Sequence, residues 1–403
     1  MIKRIRSEQL KPGMFIHDLN CGWMDHPFML NTVNVSDEKS IAKIIACGIR
    51  ELYIDTSKGA DVTGAPTLDE FNSEIHDQIT SVVESYANKP DNNTVPLKEE
   101  IIQVKALRND AHQIVHNFMS DARLGKQIKI EEITPVVEHV FDSIIRNQDA
   151  LISLSRIKHK DEYTYQHSLS VCVLMVTFSR TMGYERDVVL EAGIGGLLHD
   201  VGKMKVPDKI LNKPGALTEP ELMTMRSHAA IGRELLRRTP HVPETAISIA
   251  GQHHERYDGT GYPDKIQKDE ISQLGQMASI VDVYDALTSN RIYHNGMEPT
   301  AALKKLFEWS KFHFNPHLVE RFICMIGIYP VGSLVKLQSG MLGIVVNPGN
   351  ENLLRPIVRV VFDTRRDFAV APHDIDLSVQ SGDSIVGHES PRKWDISPFS
   401  YLN

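Results

Sequence analysis

An apolar, glycine-rich stretch at residues 192–198 (AGIGGLL) runs directly into His199-Asp200 and then Val201-Gly202-Lys203. Such a stretch reads as a buried helix. A His-Asp pair at its end is costly to bury unless the two side chains are paired or hold a metal ion. Alone, this dipeptide is most often a satisfied core or surface pair. The surrounding chain repeats the pattern. His167 opens an apolar helical stretch, and His228 precedes Ala229-Ala230-Ile231-Gly232. His253-His254-Glu255 follows the apolar residues 246–250, and Asp282 and Asp285 stand one turn apart in another apolar run. The candidate ligands are therefore His167, His199, Asp200, His228, His253, His254 and Asp282. This set is too large for one tetrahedral zinc. It fits two ions sharing Asp200, roughly 3.5–4 Å apart, which hold a bridging hydroxide and clamp a phosphate for in-line attack. Imidazoles with carboxylates suit Mn, Fe or Zn rather than Ca. Lys203, four residues after His199, would set a cation near a phosphate or a leaving oxygen.

Length and charge narrow the rest. A chain of 403 residues suggests two or three domains of roughly 150 residues. With 41% hydrophobic and 24% charged residues, it is neither fibrous nor wholly disordered. The net charge of -8 argues against a broad basic face for duplex nucleic acid or anionic membrane. An anionic substrate would have to be drawn locally, by metals and a few Lys or Arg. Cys21, Cys47, Cys172 and Cys324 form no CxxC pair, so neither a thiolate zinc site nor a disulfide framework is expected. Sparse thiols fit a reducing cytoplasm. The polar, basic start is not a signal peptide. The most apolar run, residues 169–178, is far short of the ~20 residues a membrane span needs and reads as a buried helix.

Along the chain, residues 1–97 read as a small α/β module. It has a turn at Lys11-Pro12-Gly13, a strand at Phe28-Met29-Leu30, a helix over 37–47 capped by Ser36, and a strand over 51–54. A further helix is read over 68–86 and a flexible turn over 88–94. Residues 98–147 form an amphipathic helical connector, and 148–328 are helix-rich. Residues 329–403 hold β-branched runs at 333–337, 343–346 and 356–361, split by Gly and Asn-Pro-Gly. They read as a small antiparallel β unit with a partly loose tail after Asp383. The loop RYDGTGYP (256–263) is a tight turn that also suits the mouth of a site.

Several stretches together resemble the HD-GYP subfamily of the HD-superfamily phosphohydrolases. They are HDVGK (199–203), PDKILNKPGALTEPE (207–221), His228, HHERYDGTGYP (253–263) and IVDVYDALTSNRIY (280–293). The resemblance spans roughly residues 155–325, and the N-terminal module looks like the domain that often precedes this catalytic domain in bacterial proteins. It implies a mainly α HD-type catalytic domain; with the small α/β N-terminal regulatory module and the small β-rich C-terminal extension read above, the chain is expected to be multidomain. It implies two divalent ions, Fe or Mn, on the seven ligands above. The implied reaction is hydrolysis of cyclic di-GMP to linear pGpG, with GMP as an open further product. Lys203 would contact the phosphate or assist the leaving group. Arg291 and the Gly261-Tyr262-Pro263 loop would hold the substrate, and Asp285 would orient a ligand. The partners expected are a cyclic dinucleotide and a second copy or another signalling protein, in the cytoplasm, with no duplex nucleic acid and no membrane span.

Two positions depart from the subfamily. Tyr163 stands where some members carry a Glu that binds a third metal, and the nearby Glu162 would face another side of a helix. His294 stands where a substrate-side Lys is common, and a His is mostly neutral near pH 7. Hybrid 3′,3′-cyclic GMP-AMP is therefore an alternative substrate. A phosphohydrolase for another nucleotide, a non-hydrolysing cyclic dinucleotide receptor and a protein–protein adaptor centred on the N-terminal module are the remaining readings.

Overall fold

The computed structural model describes residues 1–22, 28, 30–86, 93–155, 163–289, 296–349, 353–379 and 382–402. The chain divides into two units: Met1–Gln78 with Val206–His228, and Ile79–Lys205 with Ala229–Asn403.

In the first unit, strands β1 (Ile2–Arg6), β2 (Phe15–Asp18), β3 (Val33–Asn34) and β4 (Glu51–Asp55) form one antiparallel sheet in the order β1-β4-β2-β3. Helix α1 (Glu38–Ala46) completes the module. Ile16, Ile44, Leu52 and Ile54 are fully buried in the shared core. The strand expected at Phe28-Met29-Leu30 does not form at Phe28 or Leu30, and Met29 lies outside the described residues. The cap of α1 is Asp37 rather than Ser36: its carboxylate accepts the Ser40 backbone N–H at 2.7 Å. An ionised cap also complements the positive helix N-terminus. Helix α2 (Leu68–Ser85) follows. The turn expected over 88–94 falls largely outside the described residues. Within 206–228, short helices α7 (Asp208–Leu211) and α8 (Glu219–Arg226) enclose a small core of Val206, Ile210, Leu217, Leu222 and Met225.

In the second unit the expected connector is two long helices, α3 (Leu97–Leu124) and α4 (Ile130–Ser155), with Gly125 in the left-handed region ending the first. The buried carboxylate of Glu100 accepts Ser143 Oγ at 2.6 Å and Arg146 Nε at 2.8 Å, so it is not left uncompensated. Then come α5 (Tyr163–Thr181), α6 (Arg186–Leu198), α9 (His228–Arg237), α10 (Glu244–Gln252), α11 (Gln273–Thr288), α12 (Pro299–Trp309) and α13 (Pro316–Ile326). The glycines of α6 let its neighbours approach on three sides. A Cβ on Gly193 would meet Val137 of α4 at 2.5 Å and Val176 of α5 at 2.6 Å. One on Gly195 would meet Ile249 of α10 at 2.5 Å, and one on Gly196 would meet Cys172 of α5 at 3.1 Å. Phe322 of α13 packs edge-on against Phe178 of α5 and Tyr284 of α11, which ties the helical layer together.

The C-terminal residues form a second antiparallel sheet, β8-β7-β6-β5-β9: β5 (Leu334–Leu337), β6 (Met341–Asn347), β7 (Ile357–Asp363), β8 (Phe368–Asp376) and β9 (Ile385–His388). The tail after Asp383 is more ordered than expected. It supplies β9, which pairs with β5, and two 3-10 turns, and it buries Leu402. Among the described residues no helix is long and apolar enough to cross a membrane.

Candidate metal centre

Most candidate ligands stand at or near the end of a helix, where the chain can turn a side chain into the shared interior; Asp282 projects from the body of one. His199 is the C-terminal cap of α6, with Asp200 next and a 3-10 turn, Val201–Lys205, after it. His253 caps α10 in the same way and His254 follows. His228 is the first residue of α9, the rest of which belongs to the second unit. His167 lies in the first turns of α5, and Asp282 sits within α11. His167, His199, Asp200, His228, His253 and Asp282 are all buried, and His254 is nearly so.

The imidazoles are fixed by their neighbours. Nδ1 of His199 donates to Gly196 O at 2.7 Å, that of His228 to Met225 O at 2.7 Å, and that of His253 to Ala250 O at 3.0 Å. A carbonyl can only accept, so Nδ1 carries the hydrogen and the neutral ring keeps its lone pair on Nε2. Nδ1 of His167 lies 2.6 Å from Asp285 Oδ2, the carboxylate–histidine pairing that orients a metal-binding ring. The Nε2 atoms then converge on carboxylates. His167 Nε2 is 3.0 Å from Asp282 Oδ1 and 3.6 Å from Asp200 Oδ2. His199 Nε2 is 3.3 Å from Asp200 Oδ2, and His253 Nε2 is 3.7 Å from Asp200 Oδ1.

Two groups of ligand atoms result, with members within 4.8 Å of one another: His167, His199 and Asp282, and Asp200, His228, His253 and His254. Asp200 faces both, since its Oδ2 is toward His167 and His199 while its Oδ1 is toward His253. The donor set fits a transition-metal ion. His199 Nε2 is the sharpest evidence of fit: it is buried, makes no well-aligned hydrogen bond among the described residues, and points its lone pair at carboxylate oxygen. A lone pair against an anion is tolerable only with a cation or a proton between them.

The electrostatics agree. Burial opposes charge on Asp200, yet the Lys203 ammonium and His199 hold its carboxyl well below the usual range. Burial likewise opposes charge on Asp282, and His167 outweighs it. Burial pushes the His253 imidazole down, whereas in the equally buried His199 the Asp200 carboxylate wins and raises it. The site thus holds two anions ready for cations.

Of the other expected residues, Lys203 reaches Asp200 Oδ2 at 2.5 Å, three residues back rather than on a continuous helix. Asp285 meets His167 as described. Tyr262 stacks on His254 with ring centroids 4.7 Å apart, next to a cis bond to Pro263. Gly261 is packed so closely that a Cβ would lie 2.4 Å from Arg256 N. Tyr163 begins α5. Glu162, Arg291 and His294 lie outside the described residues. Glu255, for which the sequence alone suggests no role, is buried and binds the backbone of Asp264 and Lys265. An acid directly after two histidines was the available signal, but its partners nine and ten residues on are set by the folded loop.

Comparison with known proteins adds lineage. Residues 147–318 match the HD domain family, and residues 2–133 match DUF3391, a domain of unknown function. The chain is 38% identical to the cyclic di-GMP phosphodiesterase PA4108 of Pseudomonas aeruginosa over 98% of this chain and 94% of that protein. It is 41% identical to the 3′3′-cGAMP-specific phosphodiesterase 2 of Vibrio cholerae over 30% of this chain and 24% of that one. Bd1817, an HD-GYP-type protein of Bdellovibrio bacteriovorus, is a solved structure with TM-score 0.47 and 17% identity, covering 80% of this chain and 98% of that chain.

Proposed function

The chain belongs to the HD-domain family that includes the Pseudomonas cyclic di-GMP phosphodiesterase, and from that premise we propose that it hydrolyses cyclic di-GMP to linear pGpG. The observation that carries the proposal is the Asp200 carboxylate, whose two oxygens face two separate groups of buried imidazoles. That arrangement supports two ions: His167, His199 and Asp282 would hold one, His228, His253 and His254 the other, and Asp200 would serve both. Iron or manganese suits such donors. When bound, two divalent ions neutralise phosphate charge and bring the pKa of water toward neutrality.

The chain's own groups supply the rest. Water adds across one phosphodiester: a new P–O bond forms, the bond from phosphorus to the ribose 3′-oxygen breaks, and that oxygen must gain a proton. Lys203 would donate it, a role supported by an ammonium that lies against the Asp200 carboxylate and is only partly exposed. Asp285 holds the His167 ring in its ligating tautomer. Gly261-Tyr262-Pro263 and Arg291 hold the dinucleotide. With a net charge of -8, substrate capture rests on this local positive charge rather than on the surface at large. Residues 1–97 act as a regulatory module, 98–147 as a connector, 148–328 as the catalytic domain and 329–403 as an extension, in the cytoplasm.

A second reading, hydrolysis of hybrid 3′,3′-cyclic GMP-AMP, draws on the Vibrio relative and on His294. Chromatography of products from cyclic di-GMP, cyclic GMP-AMP and nucleoside monophosphates, with Mn(II) and with anaerobic Fe(II), separates the two. The expected outcome is pGpG from cyclic di-GMP at the highest rate. A higher rate on cyclic GMP-AMP selects the second reading, and binding without any product selects a receptor.

A further inference from the structure

The loop after the histidine pair is fastened at more points than a surface turn requires. Glu255 is buried, and its Oε1 accepts the backbone N–H of Asp264 at 2.7 Å and of Lys265 at 3.1 Å. The chain between folds back so tightly that only glycine fits at 261. The Tyr262 N–H donates to His254 O at 3.1 Å, and the Tyr262 ring stacks on the His254 imidazole at an interplanar angle of 29°. On the other side Asp264 takes both terminal nitrogens of Arg233, Nη2 at 3.0 Å. Arg233 belongs to α9, and its stem lies across Gly251 of α10, where a Cβ would sit 2.7 Å from Arg233 Cδ. One loop is thus tied to the His253-His254 segment by Glu255 and to α9 by Asp264.

The geometry points to Glu255 as a positioning residue: by holding the backbone of Asp264 and Lys265, it keeps Tyr262 stacked on His254 and so fixes how that imidazole faces its group. Among the described residues the hydrogen bonds of Glu255 go to the loop backbone rather than to a ligand atom, so it acts through the loop. The Arg233–Asp264 pair braces the same loop from α9. The inference rests on the reading of His254 as a ligand. Residues that orient ligands from behind typically change metal affinity by about 10–100-fold when removed.

The test is Mn(II) titration of metal-free full-length protein by calorimetry, which needs no substrate. Glu255→Ala is expected to weaken Mn(II) binding by about tenfold, with far-UV circular dichroism and the metal-free Tm retained. Glu255→Gln keeps an acceptor oxygen for the two N–H groups and is expected to bind like wild type. A folded Glu255→Ala protein with wild-type affinity overturns the inference, and so does a Glu255→Gln protein as impaired as the Ala variant. If Glu255→Ala does not fold, Asp264→Ala decides: a smaller loss of affinity supports the inference and an unchanged affinity overturns it. His254→Ala separates the two levels, because wild-type affinity there removes His254 from the ligand set itself.

Discussion

At the scale of single residues, the site depends on which ring nitrogen carries the hydrogen. Three backbone carbonyls, of Gly196, Met225 and Ala250, and one carboxylate, of Asp285, take the Nδ1 hydrogens and leave Nε2 for a cation. Asp285 is the only side chain in this set and can be changed without disturbing the backbone. Asp285→Ala is expected to lower Mn(II) affinity by about 10–100-fold while His167 itself stays in place; equilibrium dialysis with elemental analysis measures it. The aspartates and histidines of the site were legible from sequence because each breaks an apolar helical pattern where an unpaired charge would be costly. The carbonyl partners were not legible, because they depend on where each helix stops. Glu255 was missed for a related reason, since its value lies in a loop that closes on itself.

At the scale of elements, the 207–221 segment shows how local chemistry sets a helix end. Thr218 caps α8, and Glu221 returns a hydrogen-bond acceptor to the Thr218 N–H at 2.7 Å, forming a capping box. The Lys213 ammonium adds an ion pair, and together with Thr218 it holds the Glu221 carboxyl down at about 2, below its ordinary 4.5. Above pH 4.5 the carboxylate is charged in both folded and unfolded chains, and the pairing contributes fully. As pH falls from 4.5 toward about 2 the unfolded chain takes up the proton first, so stability is lost over that window. Glu221→Gln is therefore expected to flatten the acid limb of stability between those pH values, as read from urea midpoints at a series of pH. An acid limb as steep as wild type would contradict the assignment. Elements with clean periodicity were readable in advance, such as α2, α5 and the β-branched cores of β5, β6 and β7. β8 was not, because Phe368–Asp376 is mostly exposed and contains Pro372, so it lacks the alternation that marks a half-buried strand. β9 was hidden in a polar tail and exists only because it pairs with β5.

At the scale of the whole molecule, metal binding should be visible as stability. The candidate ligands lie in α5, α9 and α11 and directly after α6 and α10, so an ion held among them would join elements far apart in sequence and bind the folded chain alone. At 100 times its Kd such an ion adds about 2.7 kcal/mol, and for a chain of this size each kcal/mol moves Tm by about 2–4 °C. Adding EDTA to Mn-loaded protein is expected to lower Tm by several degrees. An unchanged Tm would mean that the cluster holds no ion tightly. The fold class and the motif order followed from the resemblance over residues 155–325, whereas the division of the chain into Met1–Gln78 with Val206–His228 and a second unit was not readable from any linker.

Whether Asp200 holds the metal that hydrolysis needs is decided by comparing wild type with Asp200→Ala for metal content and for pGpG formation from cyclic di-GMP, in the same Mn-loaded preparations. Wild type is expected to form pGpG, and a folded Asp200→Ala protein is expected to be depleted of metal and to form no product. An Asp200→Ala protein that is metal-replete and fully active would contradict this role of Asp200.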